Sequence, residues 1–277
     1  MQITIAEQRV LRFEPAFSAA EARGRAMAHK AAAFGTLSRL FSRPKDDEVV
    51  LEESGMRYEP LWHARAHLHF VYDRRETYRI SPKGQYVKSI TIGVDAYSID
   101  STKQNAVDIR AVEHCERDER KELWLDAVTN KAVDSQSYAK ANGVDIELGA
   151  LASDGSRIVE PTVRASGAIR TLLGDDFRPT EADNVQDETI EVECIDLCLR
   201  PAYGYKYVWA AKNKTAEIAI DGVTGEIRSE SSNSLSAVGK LLQPETLFDI
   251  GAETLNLVVP GGAIVLKVAR AIADKRG

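Results

Sequence analysis

The sequence predicts an α+β fold: antiparallel sheets of long hairpins with packed helices, in two related halves, followed by a helical C-terminal tail. Three observations lead there. Apolar and polar residues alternate strictly from Pro60 to Tyr72, which is the period of a half-buried strand. Residues 122–129, "ELWLDAVT", and 217–224, "EIAIDGVT", nearly repeat one another, each preceded by a second strand-like run. Two helix-like segments with start or stop signals lie ahead of the hairpins.

A chain of 277 residues is long enough for more than one compact unit. The pattern divides it into an N-terminal α+β unit (1–105), a repeated-hairpin unit (106–231) and a helical tail (232–277). Hydrophobic residues at 44% and charged residues at 28% belong to an ordinary globular chain. The 36 basic and 42 acidic side chains are interleaved, for a net charge of −6. With no Lys/Arg cluster, a surface that tracks nucleic-acid phosphates is not expected. Three cysteines, an odd number, argue against a disulfide framework. The opening "MQITIAEQRVLRFEP" alternates like a strand rather than a secretory leader, so the expected compartment is the cytoplasm.

Taken in order, residues 1–15 read as a strand through Ile3, Ile5, Val10 and Leu11. Ser18 followed by Glu21 is a capping box, and the Ala-rich run behind it favours helix until Gly35 and Pro44. From Pro60, the residues Trp62, Ala64, Ala66, Leu68, Phe70 and Tyr72 share one strand face. His63, Arg65, His67, His69 and Val71 share the other. "DRRE" at 73–76 reads as a polar tip with "TYRI" returning antiparallel, and 87–99 as a further strand. "CERDERKE" at 115–122 reads as a charged hairpin tip.

In the repeat, each strand ends in Asp-x-Val-Thr followed by Asn130 or Gly225. An Asp side chain can fold back onto turn amides there, and Asn or Gly accepts the left-handed corner. Placing Pro60 on Pro201 sets Trp62 on Tyr203 and Leu68 on Trp209. The middle segment "EPTVRASGAIRTLLG" is an amphipathic helix with Gly174 as its C-cap. A helix followed by long hairpins and ending in "IDGVTGEI" resembles the PepSY-type domain, best over 160–228 and less over 17–80. The resemblance implies a helix lying across a curved antiparallel sheet, often in tandem. It also implies a binding or inhibitory role without catalytic residues. Beyond the polar "SESSNS", the tail predicts a terminal helix with Ile264, Val268 and Ile272 on one side.

For chemistry, "HARAHLHF" at 63–70 holds three of the five histidines. His67 and His69 project the same way from a strand, roughly 6.5–7 Å apart at the backbone, and two such imidazoles can chelate Zn²⁺. A third ligand has to come from elsewhere, with His114 in "AVEHCE" as the candidate beside Cys115 and Glu113. His63 lies too far along the strand to join the pair. Cys194 and Cys198 are four apart with a flip of alternation between them, which suggests a bulge and buried, inert thiols. No nucleophile elbow and no glycine-rich phosphate loop occurs, so no catalytic residue and no cofactor is expected, zinc being the alternative. Tyr203, Tyr205, Tyr207 and Trp209 form an aromatic ladder that reads as core or as a protein-binding platform. The expectation is therefore a non-catalytic interaction or regulatory module. It would bind a protein partner, or itself, through a sheet face or the C-terminal helix. The alternative is a zinc protein centred on His67 and His69, with hydrolysis as the chemistry open to it. A third option is attachment to a membrane surface by residues 252–273.

Overall fold

The computed structural model describes residues 1–34, 44–84, 86–99, 106–147, 157–177, 181–230 and 265–268. In chain order the described elements are β1 (Gln2–Ile5), β2 (Gln8–Phe13), α1 (Ala19–His29), β3 (Val49–Ile80), β4 (Ser89–Ile92), β5 (Asp95–Ser98), β6 (Val107–Asp126) and β7 (Lys131–Ala132). There follow α2 (Ser135–Ala139), β8 (Gly143–Asp145), α3 (Ala165–Leu173), β9 (Asn184–Trp209), β10 (Lys214–Asp221), β11 (Ile227–Glu230) and β12 (Val265–Val268).

β3 and β9 organise everything else. At 32 and 26 residues they far exceed the usual 3–10, and the register shifts at Leu51/Glu53, Arg65/Ala66 and Val71/Tyr72 interrupt their ladder without ending either strand. They pair antiparallel from Val49↔Trp209 to Asp73↔Asn184. β6 covers the other edge of β3. Along the other edge of β9 lie β1 and β2, both parallel to it, and then β10, antiparallel. The result is one ten-stranded mixed sheet in the path β11-β10-β9-β3-β6-β7, with β1, β2, β8 and β12 attached beside it.

This overturns the expected fold class. The chain is mostly strand, and among the described residues three α-helices lie against a single large mixed sheet; it is not a helix-packed α+β arrangement. The physical reason is strand length. "DRRE" does not turn the chain, since β3 runs straight through it to Ile80, and "TYRI" is its continuation. "CERDERKE" is the middle of β6 rather than a tip. Residues 87–99 contain a separate two-stranded hairpin, β4–β5, closed at Gly93 with φ +61°. The expected boundary at 105/106 falls in the connection between β3 and β6, which are ladder partners. In the tail, Val265–Val268 is not helical; it is strand β12, parallel to β1. No helix among the described residues is long and apolar enough to cross a membrane.

One face of the sheet carries the core. Trp62, Ala64, Ala66, Leu68 and Phe70 of β3 meet Ile190, Val192, Ile195, Leu197 and Leu199 of β9 under Ala165, Ala168, Ile169, Leu172 and Leu173 of α3. Farther along the same face, Tyr203, Tyr205, Tyr207 and Trp209 lie beneath Ala22 and Ala26 of α1. The small helix residues let the rings approach the backbone. Ser18 and Glu21 cap α1 reciprocally, the Glu21 amide donating to Ser18 Oγ at 3.3 Å and the Ser18 amide to Glu21 Oε2 at 2.8 Å.

The two hairpins β3–β6 and β9–β10 share more than sequence. Ala127 N–H donates to the Pro60 carbonyl at 3.1 Å, and Gly222 N–H to the Pro201 carbonyl at 2.7 Å. Thr162 N–H reaches the Ala127 carbonyl and Ala16 N–H the Gly222 carbonyl, both at 2.8 Å. Trp62 Nε1 donates to the carbonyl of Val163, ahead of α3, at 2.7 Å; Tyr203 OH donates to that of Phe17, ahead of α1, at 3.1 Å. Each hairpin thus receives a helix at the same place, related by an approximate two-fold axis. The axis passes between Glu59 and Arg200, which are direct ladder partners.

Candidate functional site

The opposite face of the sheet is polar, and it holds the chemistry. Asp126 and Asp221 end the two repeated strands. Each accepts two backbone N–H bonds in its own turn through Oδ1: from Val128 and Thr129 at 3.0 and 2.8 Å, and from Val223 and Thr224 at 2.8 and 3.0 Å. Asn130 and Gly225 close these turns with φ +56° and +75°. The remaining oxygen of each points at Arg200, which is 3% exposed. Its guanidinium lies 2.7 Å from Asp126 Oδ2, 3.2 Å from Asp221 Oδ2 and 3.0 Å from Glu59 Oε2, and it donates to Tyr138 OH at 2.9 Å. Arg57 and Arg228 also pair with Glu59, at 2.8 and 2.6 Å. Buried charges need this degree of mutual satisfaction. The cluster is a lock across β6, β3, β9, β10 and α2.

Burial pushes the Glu59 carboxyl up, but Arg228, Arg200 and Arg57 outweigh it and hold the group at about 2. Its ordinary value is 4.5, so the folded pKa is depressed. The stabilisation is complete above pH 4.5 and is lost as the pH falls towards 2. The urea midpoint is therefore expected to drop through that window, and Glu59→Gln to flatten the profile there. Equal slopes for both proteins would contradict the assignment.

The histidines separate. His67 Nε2 lies 2.9 Å from Asp118 Oδ1, and His69 sits 3.8 Å from Asp118 and 3.7 Å from Asp187. His114 pairs with Asp73 at 2.7 Å and is 80% exposed. It stands four residues along β6 from Asp118, the ladder partner of His69, which is roughly 13 Å. His67, His69 and His114 are thus not brought together. His63, set aside in the sequence, lies instead beside Cys194 and Asp196. Among the described residues these three form the one group of potential ligands within 4.8 Å of one another.

A bulge builds that group. Arg65 pairs with Cys194 but Ala66 with Val192, so Glu193 is the extra residue. It shifts the phase of β9 by one, turning Cys194, Asp196 and Cys198 away from the core that Ile190 and Val192 occupy. The bulge therefore precedes Cys194 rather than falling between the two cysteines. Cys194 Sγ lies 3.5 Å from His63 Nδ1 and donates to Asp196 Oδ2 at 3.1 Å; Nδ1 to Oδ2 is 3.9 Å. Burial and then Asp196 push the Cys194 thiol up to about 12. Burial lowers the His63 pKa against the pull of Glu122 and Asp196, so the ring is neutral at pH 7. Glu122 Oε1 stands 2.8 Å from Nε2 and can only accept, which puts the ring proton there and leaves the Nδ1 lone pair facing Cys194. Cys198 lies in a small apolar cluster with Phe13, Leu61, Trp124 and Tyr138, where burial drives its thiol pKa well up.

The proposed interaction residues fare differently. Tyr203, Tyr205, Tyr207 and Trp209 are all core, at most 6% exposed, because α1 covers them. They offer no surface platform. Val268 belongs to a strand, and Ile264 and Ile272 lie outside the described residues. Exposed apolar side chains concentrate elsewhere. Of the twelve large ones among the described residues, seven fall between residues 78 and 112: Tyr78, Ile80, Tyr86, Val87, Ile92, Val94 and Val112. They belong to the ribbon of β3 and β6 beyond Asp73 and to the β4–β5 segment at its end.

Sequence reasoning missed Arg200, Asp196, Glu122 and Arg9. A signal for Asp196 was present: "CIDLC" spaces Cys194, Asp196 and Cys198 two apart, which places all three on one strand face. No family, curated protein or solved structure was found to match this chain.

Proposed function

We propose that the chain is a non-catalytic interaction module that self-associates through the outer ribbon of β3 and β6. The observation that carries this reading is the crowding of seven exposed large apolar side chains into residues 78–112. Tyr78 and Ile80 share one face of the ribbon and Val112 lies on the other, and exposed apolar side chains gathered in one segment of a polar protein usually mark a contact surface. A second feature supports it. β9 ends its pairing at Asp73, so among the described residues β3 has no ladder partner on that edge over 76–80. An open strand edge is a template for another strand, and antiparallel pairing of one edge with its own copy is self-complementary. Two-stranded ribbons are marginal in water, and pairing two of them gives four strands. The mixed charges of the ribbon (Arg74, Arg75 and Arg110 against Glu76 and Glu113) do not oppose like arms meeting.

Light scattering on the purified chain is expected to give twice the 30.5 kDa mass. Tyr78→Lys with Ile80→Lys, at exposed positions, is expected to weaken the dimer at least about tenfold, or ~1.4 kcal/mol, without changing the unfolding midpoint of the monomer. A wild-type chain that stays monomeric at the highest attainable concentration would sink the proposal, as would a dimer indifferent to both lysines.

A further inference from the structure

We propose that His63, Cys194 and Asp196 form a mononuclear zinc site, independent of the ribbon contact. The ligand set is suited to the metal: zinc takes thiolate, imidazole and carboxylate together. The spacing fits as well. Zinc bonds of about 2.3 Å to sulfur and about 2.0–2.2 Å to nitrogen and oxygen, set tetrahedrally, separate the ligand atoms by about 3.4–3.6 Å. The three separations here are 3.1, 3.5 and 3.9 Å, scattered evenly about that value. A shift of a few tenths of an ångström would centre an ion among them.

The outer partners are also those a metal site requires. Metal-bound histidines nearly always donate their second ring N–H to a carboxylate, a backbone carbonyl or water, and bound carboxylates are themselves hydrogen-bonded. Glu122 holds Nε2 of His63, and the ring lies flat on Trp124, with centroids 4.1 Å apart and planes 14° from parallel. Arg9 grips Asp196 from the far side, Nε to Oδ1 at 3.0 Å and Nη2 to Oδ2 at 2.6 Å. Oδ2 keeps a second lone pair on the side of Cys194. His63 and Asp196 are thus held in place before any ion arrives.

Charge closes the argument. Zn²⁺ with one thiolate, one carboxylate and a neutral imidazole sums to zero, and Arg9 and Glu122 cancel outside it. Binding forms the zinc–sulfur bond and releases the thiol proton of Cys194 to solvent; nothing is oxidised or reduced. Three protein ligands leave a fourth tetrahedral position for water, which zinc takes readily.

The test is zinc uptake by the full chain, measured by elemental analysis after dialysis and by chelator competition, with Co²⁺ as a spectroscopic probe. One ion per chain is expected, with a thiolate-to-cobalt charge-transfer band. Cys194→Ser and His63→Gln should abolish both signals. Glu122→Gln, at a half-exposed position that leaves folding intact, should weaken affinity about 10–100-fold. His67→Ala, His69→Ala and His114→Ala should change nothing. No stoichiometric uptake by the wild type, uptake unaltered by Cys194→Ser, or uptake that follows His67 and His69 would each overturn the site.

Discussion

Replacing Arg200 by methionine is expected to cost on the order of 3–5 kcal/mol of stability. The size follows from what stays behind. Glu59 keeps Arg57 and Arg228, but Asp126 and Asp221 would each face a buried apolar side chain with one oxygen still aimed inward. Tyr138 would lose a donor and keep only its bond to Asp221, at 2.5 Å. Lysine is not a substitute. Its single ammonium has no planar fork with which to span Glu59, Asp126 and Tyr138 at once. Urea denaturation checks the cost, and adding Asp126→Asn to the methionine variant should recover part of it, because Asp126 is a buried carboxylate that Arg200 alone compensates through Oδ2. A loss under about 1 kcal/mol would mean that the cluster is solvated and that the two Asp turns stand without Arg200.

Trp62→Ala is expected to cost about 3–5 kcal/mol, through a cavity rather than a charge. Trp62 is fully buried between β9 and α3, and its indole N–H ties the carbonyl of Val163 to the sheet at 2.7 Å. Removing it therefore both opens the core and loosens the entry to α3. Tyr203→Phe, at the matching place under α1, separates the two contributions. It deletes only the hydroxyl bond to Phe17 and should cost about 1 kcal/mol. If Trp62→Ala cost no more than Tyr203→Phe, the packing of α3 would have to be far looser than its buried Ile169 and Leu173 imply.

Local signals in the sequence were faithful to local structure. The face shared by Trp62, Ala64, Ala66, Leu68 and Phe70, the Ser18–Glu21 cap, and the left-handed corners at Asn130 and Gly225 all follow from patterns a few residues long. What the sequence did not display is where strands stop. Neither charged run, "DRRE" or "CERDERKE", contains Gly, Pro or Asn, and the Asp in each is engaged across the ladder instead of in a turn, Asp73 by His114 and Asp118 by His67. β3 and β6 accordingly run on through them as parts of one large sheet. The same limit hid the site around His63. Its spacing to Cys194 is set by pairing across 131 residues and by one bulged glutamate, neither of which a period along a single strand can show. The aromatic ladder was legible as apolar but not as covered, because its cover, α1, comes from the other end of the chain.

The two-fold relation between the hairpins governs which hairpin can pair with which. Glu59 and Arg200 occupy matching places, and the axis makes them neighbours. Were the two hairpins identical, that place would set glutamate against glutamate or arginine against arginine, in a setting where each is at most 5% exposed. Like charges so placed repel by several kcal/mol. The pair thus works as a key: it rewards the joining of the first hairpin to the second, and it penalises either hairpin joining a copy of itself from another chain.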